Sequence, residues 1–186
     1  MSLKASRMPY DGWTTDDLDA IPEDGIRREL VDGVLLVTPT PVYSHQNAVG
    51  VLFSILNQSC PPHLRPGQGV EMRINHKKSL IPDVMVVTRE AAGRVPARFE
   101  PPEVVLAVEI VSPTSISIDR VLKPALYAGV GIASYWRIEP TEDFRLYAYE
   151  LSGDGDVYAE AGSFDRAVKV GRPWPLEFDL GAIKPE

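Results

Sequence analysis

At 186 residues, 44 % of them hydrophobic, the chain can bury one good core, and its length gives no reason to expect a second domain; one domain over 1–186 is the expectation. A net charge of −7 argues against a protein that coats nucleic acid by bulk electrostatics, and a single cysteine, Cys60, excludes an internal disulfide and fits a reducing cytoplasm. No apolar run reaches the roughly 18 residues of a membrane span and no apolar leader follows the N-terminus, so a soluble, cytoplasmic protein without a membrane partner is expected.

Residues 1–13 read as a loosely ordered N-terminal segment. In TTDDLDAIPEDG, Thr14 or Thr15 can cap a short helix over 15–20, with acidic residues in its first turn and Pro22 and Gly25 as the stop. Two apolar runs then flank Asp32-Gly33, a strong two-residue hairpin signal that places Glu29 on the first strand. Beyond Pro39 and Pro41, the spacing of Val49, Leu52, Phe53 and Leu56 predicts the main core helix, with Ser44 as its cap and Pro61-Pro62 as its end. GQGVEMRIN reads as one strand and LIPDVMVVT as another, joined by a turn at 76–79. REAAGRVPARFEPPE reads as a loop, and the uninterrupted apolar run VVLAVEIVS belongs at a sheet centre. After Pro113 comes a helix carrying Asp119, Lys123 and Tyr127, where Pro124 predicts a start or a kink at the lysine. ASYWRIEP, FRLYAYEL and DVYAEAG follow as three strands. This order implies an α/β (α+β) fold, a mixed sheet flanked by helices, with an N-terminal hairpin and a C-terminal β extension.

Two carboxylates stand where burial penalises them. Asp83 ends one apolar run and Glu109 interrupts another, placements that cost roughly several kcal/mol unless a partner or a metal holds the charge. On neighbouring strands the pair can face one cation. With the main-chain carbonyl of Ile110 they form a hard-oxygen set suited to Mg²⁺, or to Mn²⁺. Lys123 would then stabilise charge developing on a phosphodiester, and Glu29 would reach in from the hairpin. Bland readings compete: Asp83 as a turn residue after Pro82, and Glu109 paired with Arg73 or Arg137. His45 can shuttle a proton or bind a backbone carbonyl; Ser112 and Thr114 can cap the next helix; Tyr127 and Trp136 suit core packing. Residues 65–98 carry seven basic side chains against three acidic ones, so a local basic face is an open expectation.

The segments ELVDG at 29–33, SHQNAV at 44–49, IPDVMVV at 81–87, VEIVSPTS at 108–115 and GVGIASYWRIEP at 129–140, with the spacing of Asp119, Lys123 and Tyr127, resemble the Uma-two family, restriction-endonuclease-like proteins of the PD-(D/E)xK superfamily. The resemblance implies a mixed sheet flanked by helices, Mg²⁺ as cofactor, DNA as substrate and a homodimer. It places the metal-binding acids at Asp83 and Glu109. Val111 stands where many relatives have the lysine two residues after the second acid, and Lys123 is the natural substitute. The expected function is a Mg²⁺-dependent endonuclease with Asp83, Glu109, Lys123 and Glu29 at its site. The alternative is a degenerate nuclease fold that serves as a binding module.

Overall fold

The structure is a computed structural model that describes residues 10–140, 144–153 and 155–184. Helix α1 (Thr15–Ala20) is closed by a reciprocal capping box between Thr14 and Asp17. Strands β1 (Arg28–Val31) and β2 (Val34–Val37) form the expected hairpin, with Asp32 at φ 50° and Gly33 at φ 81° making the tight turn. Helix α2 (Tyr43–Ser59) buries Ala48, Val49, Leu52 and Leu56. Its cap is Val42, with no side-chain bond, so Ser44 lies inside the helix rather than capping it; Phe53 is only partly buried.

Three further expectations are corrected. GQGVEMRIN is not one strand: the chain bends after Gln68, so that β3 (Leu64–Gln68) and β4 (Glu71–Asn75) join different sheets. LIPDVMVVT divides likewise into β5 (Lys78–Leu80) and β6 (Val84–Thr88), and Ile81, Pro82 and Asp83 make the passage between the sheets. The arginine-rich loop contains α3 (Arg89–Gly93), β7 (Arg98–Phe99) and a 3₁₀ turn (Pro101–Glu103), the first capped by Thr88. At the N-terminus, residues 1–9 lie outside the described residues, but Trp13 donates its N–H to the Gly33 carbonyl at 2.8 Å, which ties this end to the hairpin.

The remaining elements are β8 (Val104–Ile110), a π turn (Ile118–Leu122) running into α4 (Lys123–Gly129), β9 (Ser134–Glu139), β10 (Arg145–Leu151), β11 (Tyr158–Phe164), β12 (Ala167–Val170) and β13 (Leu176–Asp179). Five strands order as β2-β1-β5-β4-β7 and six as β11-β10-β9-β8-β6-β3, with β12 and β13 a separate hairpin. Both larger sheets are mixed, because β8 pairs parallel to β9 and β4 parallel to β7.

Strand alternation divides the core in two. Val84, Val86, Leu106, Val108, Trp136 and Ile138 pack with α2 and the β12–β13 hairpin on one face of the six-stranded sheet. Met85, Ala107 and Tyr135 face the other way, toward Met72 and Leu80 of the five-stranded sheet and Tyr127 of α4. β8 sits well inside its sheet, as its apolar run requires, between β9 and β6. Glu109 follows Val108, so it points at the face that α4 covers.

Candidate active site

Each acidic side chain reaches one cleft by a different local device. Asp83 immediately precedes β6, whose first residue Val84 is paired with Val108 of β8, so Asp83 and Glu109 end up beside each other across adjacent strands. Glu29 comes from the opposite sheet, on β1. Asp119 and Lys123 come from the helix after β8, four residues apart on one face. The cleft, about 450 Å³, is lined by Arg27, Glu29, His45, Asp83, Glu109, Ile110, Asp119 and Lys123, so every expected site residue is brought together there.

Lys123 is the centre of the arrangement. Its Nζ lies 3.0 Å from Glu29 Oε1, 3.0 Å from Glu109 Oε1 and 3.9 Å from Asp119 Oδ1, while the residue is only 3 % exposed. Burial alone would favour a neutral amine, but Glu109, Glu29 and Asp119 outweigh it and hold the ammonium form. Of the start or kink expected at the lysine, the structure shows a start: α4 begins at Lys123, directly after a π turn. The π turn ahead of it closes with Lys123 N–H donating to the Ile118 carbonyl, five residues back, and Lys123 stays helical at φ −62°, ψ −46°. Pro124 then lies in the first turn of α4, where its missing N–H is harmless.

Glu109 pairs with neither Arg73 nor Arg137. Arg137 is its register partner on β9 but turns to Glu139 instead, at 2.8 Å, and Arg73 bonds Glu71 and Asp19. Glu109 Oε1 accepts from Lys123 Nζ and from the Tyr127 hydroxyl at 2.6 Å. Tyr127 is thus more than core packing: four residues after Lys123, it carries its hydroxyl to the same carboxylate. Complete burial pushes the Glu109 carboxyl well above the ordinary range, against the pull of Lys123, and the nearby negative charges of Asp83, Asp119 and Glu29 add to the rise. Burial likewise raises Asp119 to about 6, although Lys123 and a hydrogen bond from the Ser115 hydroxyl oppose it.

Asp83 behaves in the opposite way. Burial works against its charge, yet the bond and charge of His45, the charge of Arg27 and the Ile110 N–H together hold it at about 2. Ile110 N–H donates to Oδ2 at 2.9 Å, His45 Nε2 lies 3.2 Å from the same oxygen, and Arg27 Nη1 donates to Oδ1 at 3.1 Å. A mere turn residue would not collect three such partners. His45 Nε2 also lies 3.1 Å from the Ile110 carbonyl, so the backbone bond expected of this histidine is present, and the residue lines the cleft as well. Its pKa is raised, chiefly by the bond to Asp83. Arg27 was not visible in the sequence as a site residue, standing next to Arg28 ahead of β1. Its spacing of two from Glu29 was the available signal, since alternate residues of an extended chain share a face.

Ser112 and Thr114 cap no helix. Ser112 N–H donates to the Ser115 hydroxyl at 3.0 Å, and the hydroxyls of Ser112 and Thr114 lie 3.1 Å apart at the cleft wall. Four of the seven basic side chains of the expected face are paired with acids: Arg73 and Arg98 bind Asp19, Arg94 binds Glu103 and Lys78 binds Asp32. Trp136 is a core residue, 1 % exposed.

Four buried carboxyl groups thus share the cleft with two permanent cations, Arg27 and Lys123, and present hard oxygens of the kind a divalent cation takes. Among the described residues no three His, Cys, Asp or Glu side chains converge closely enough to hold a metal by themselves.

The chain shares its fold with a crystal structure from Anabaena variabilis described as a putative nuclease belonging to DUF820, at a TM-score of 0.73 and 19 % identity, covering 91 % of this chain and 96 % of that one. The architecture is restriction-endonuclease-like. Residues 15–179 match the model of the Uma2 family, described as "putative restriction endonuclease", and the chain belongs to that family. No curated protein matches it. No helix among the described residues is long and apolar enough to cross a membrane.

Proposed function

We propose that the protein is an endonuclease that hydrolyses DNA phosphodiester bonds with Mg²⁺ or Mn²⁺, and that Asp83, Glu109 and the Ile110 carbonyl are the protein's ligands to the ion. The observation that carries this reading is the buried Lys123 ammonium held between Glu29 and Glu109 in a cleft that Asp83 and Asp119 also line. Membership of a family described as restriction endonucleases supports it.

A divalent ion bound there would polarise the phosphoryl oxygen and supply a nucleophilic water near neutral pH. The chain's own residues do the rest. Lys123 presents a fixed positive charge where the phosphorane-like charge develops, and it needs no reorganisation because two carboxylates already position it. Glu29 Oε1 also accepts the Ile81 N–H at 2.7 Å, which locks the lysine's partner to the passage that carries Asp83. Tyr127 orients Glu109 through its hydroxyl. Arg27 holds Asp83 in the absence of an ion and lies in the cleft where a phosphate oxygen can take it over. A homodimer in the cytoplasm is part of the same proposal.

The test is cleavage of plasmid and single-stranded DNA by the purified protein with Mg²⁺, with Mn²⁺ and with chelator, beside Asp83→Ala. Metal-dependent cleavage that disappears in the variant is expected; cleavage that persists at the full rate in Asp83→Ala sinks the proposal.

A further inference from the structure

The cleft joins its carboxyl groups to a lining of apolar side chains and hydroxyls. The apolar part is Leu36 and Val37 of β2, Pro39, Pro41 and Val42 in the link to α2, and Ile118, interleaved with Thr38, Thr40, Ser112, Thr114 and Ser115. Two of these are strongly exposed, Val37 at 57 % and Val42 at 67 %, and Tyr43, next in the chain, is exposed at 85 %. Exposed apolar side chains clustered at the mouth of a charged cleft mark a surface shaped for an apolar part of a ligand. Among the described residues of the lining the permanent cations are Arg27 and Lys123, and both are committed to carboxylates.

Duplex DNA offers the opposite surface. Its bases are stacked inside and it presents two continuous rows of phosphates, which a protein meets with lysines and arginines spread along the contact. Those cations are missing from the walls, and several of the arginines and lysines elsewhere are paired with acids. An unpaired strand exposes the faces of its bases, which apolar and aromatic side chains can hold, and its narrower backbone can bring one phosphate down to groups as deep as Lys123 and Glu109.

We infer that the cleft takes an unpaired DNA strand, with a base seated between the Leu36–Val42 wall and Ile118 while the neighbouring phosphate reaches Lys123. Duplex DNA is excluded except at frayed ends, flaps and gaps. The inference rests on the nuclease reading for its choice of DNA, but its test does not require cleavage.

The experiment is fluorescence anisotropy of the full chain in chelator and low salt, with a short labelled oligonucleotide offered single-stranded and then annealed to its complement. The single strand is expected to bind about tenfold more tightly or better, and Val37→Ser/Val42→Ser to lose about tenfold of that affinity, the scale of one lost base contact. Both substitutions lie at exposed positions, and circular dichroism verifies the fold. Equal or tighter binding of the duplex overturns the inference, as does failure to bind either DNA or wild-type affinity in the folded double variant. A second arm adds Mn²⁺ to a hairpin with a single-stranded tail. Cuts confined to the tail support the inference, and cuts inside the stem remove it while leaving the nuclease reading intact. Strand-selective binding without any cleavage removes the nuclease reading alone.

Discussion

Lys123 has the least forgiving surroundings of any side chain here. Its ammonium is 3.0 Å from each of two carboxylates that have almost no water to turn to, so removing it strands them. Lys123→Met should lower the stability of the metal-free protein by about 3–5 kcal/mol, the usual consequence of breaking a buried ion pair from one side. Urea unfolding in chelator measures it. Adding Glu109→Gln should recover part of the loss, because one of the two stranded carboxylates is then gone; a double variant less stable than the sum of the two singles would refute this account. The same burial made the site readable beforehand. A carboxylate inside VVLAVEIVS or closing LIPDVMVV has an obvious energetic penalty, so Glu109 and Asp83 announce themselves, and Glu29 and Lys123 follow from them. Arg27 and Tyr127 do not. An arginine beside a turn looks like solvated surface charge, and a tyrosine on a helix face looks the same in sequence whether its hydroxyl has a partner or not.

Among the elements, the hairpin of β1 and β2 supplies both Glu29 and the apolar wall of the cleft, and it is braced by the segment before α1. Gly12 is the tight point of that brace. At φ 76° it adopts a backbone that other residues resist, and a Cβ added there would stand 2.9 Å from the Gly33 carbonyl oxygen. Gly12→Ala is therefore expected to cost about 1–3 kcal/mol in denaturant unfolding. Gly25→Ala, at φ 74° with nothing within 4 Å, should cost less, and equal losses would mean that the close approach to Gly33 contributes nothing. The hairpin was legible because Asp-Gly between apolar runs admits few other structures. The two split strands were not. Periodicity reports which side chains alternate, but the continuous pattern through LIPDVMVVT does not reveal that the chain leaves one sheet and enters another at Pro82. The π turn before α4 was hidden too, since only the proline hinted at it.

For the molecule as a whole, the acidic composition and the paired arginines limit what electrostatics can contribute to nucleic-acid binding. If one or two phosphates meet Arg27 and Lys123 and the rest of the contact is apolar, the slope of log affinity for single-stranded DNA against log salt should be shallow, about −0.7 to −1.4. Titrations at several salt concentrations give it directly, and a steep slope would reveal a row of phosphate contacts that the cleft walls do not supply. The two-layer architecture has a consequence of its own. The short connector Ile81-Pro82-Asp83 belongs to neither sheet, yet Arg27 and Glu29 from one layer and Ile110 and His45 from the other all grip it. It works as a rivet through both plates. Any slippage between them would disturb the reactive groups before either plate came apart, so loss of activity on warming would precede melting and report the loosening of that joint.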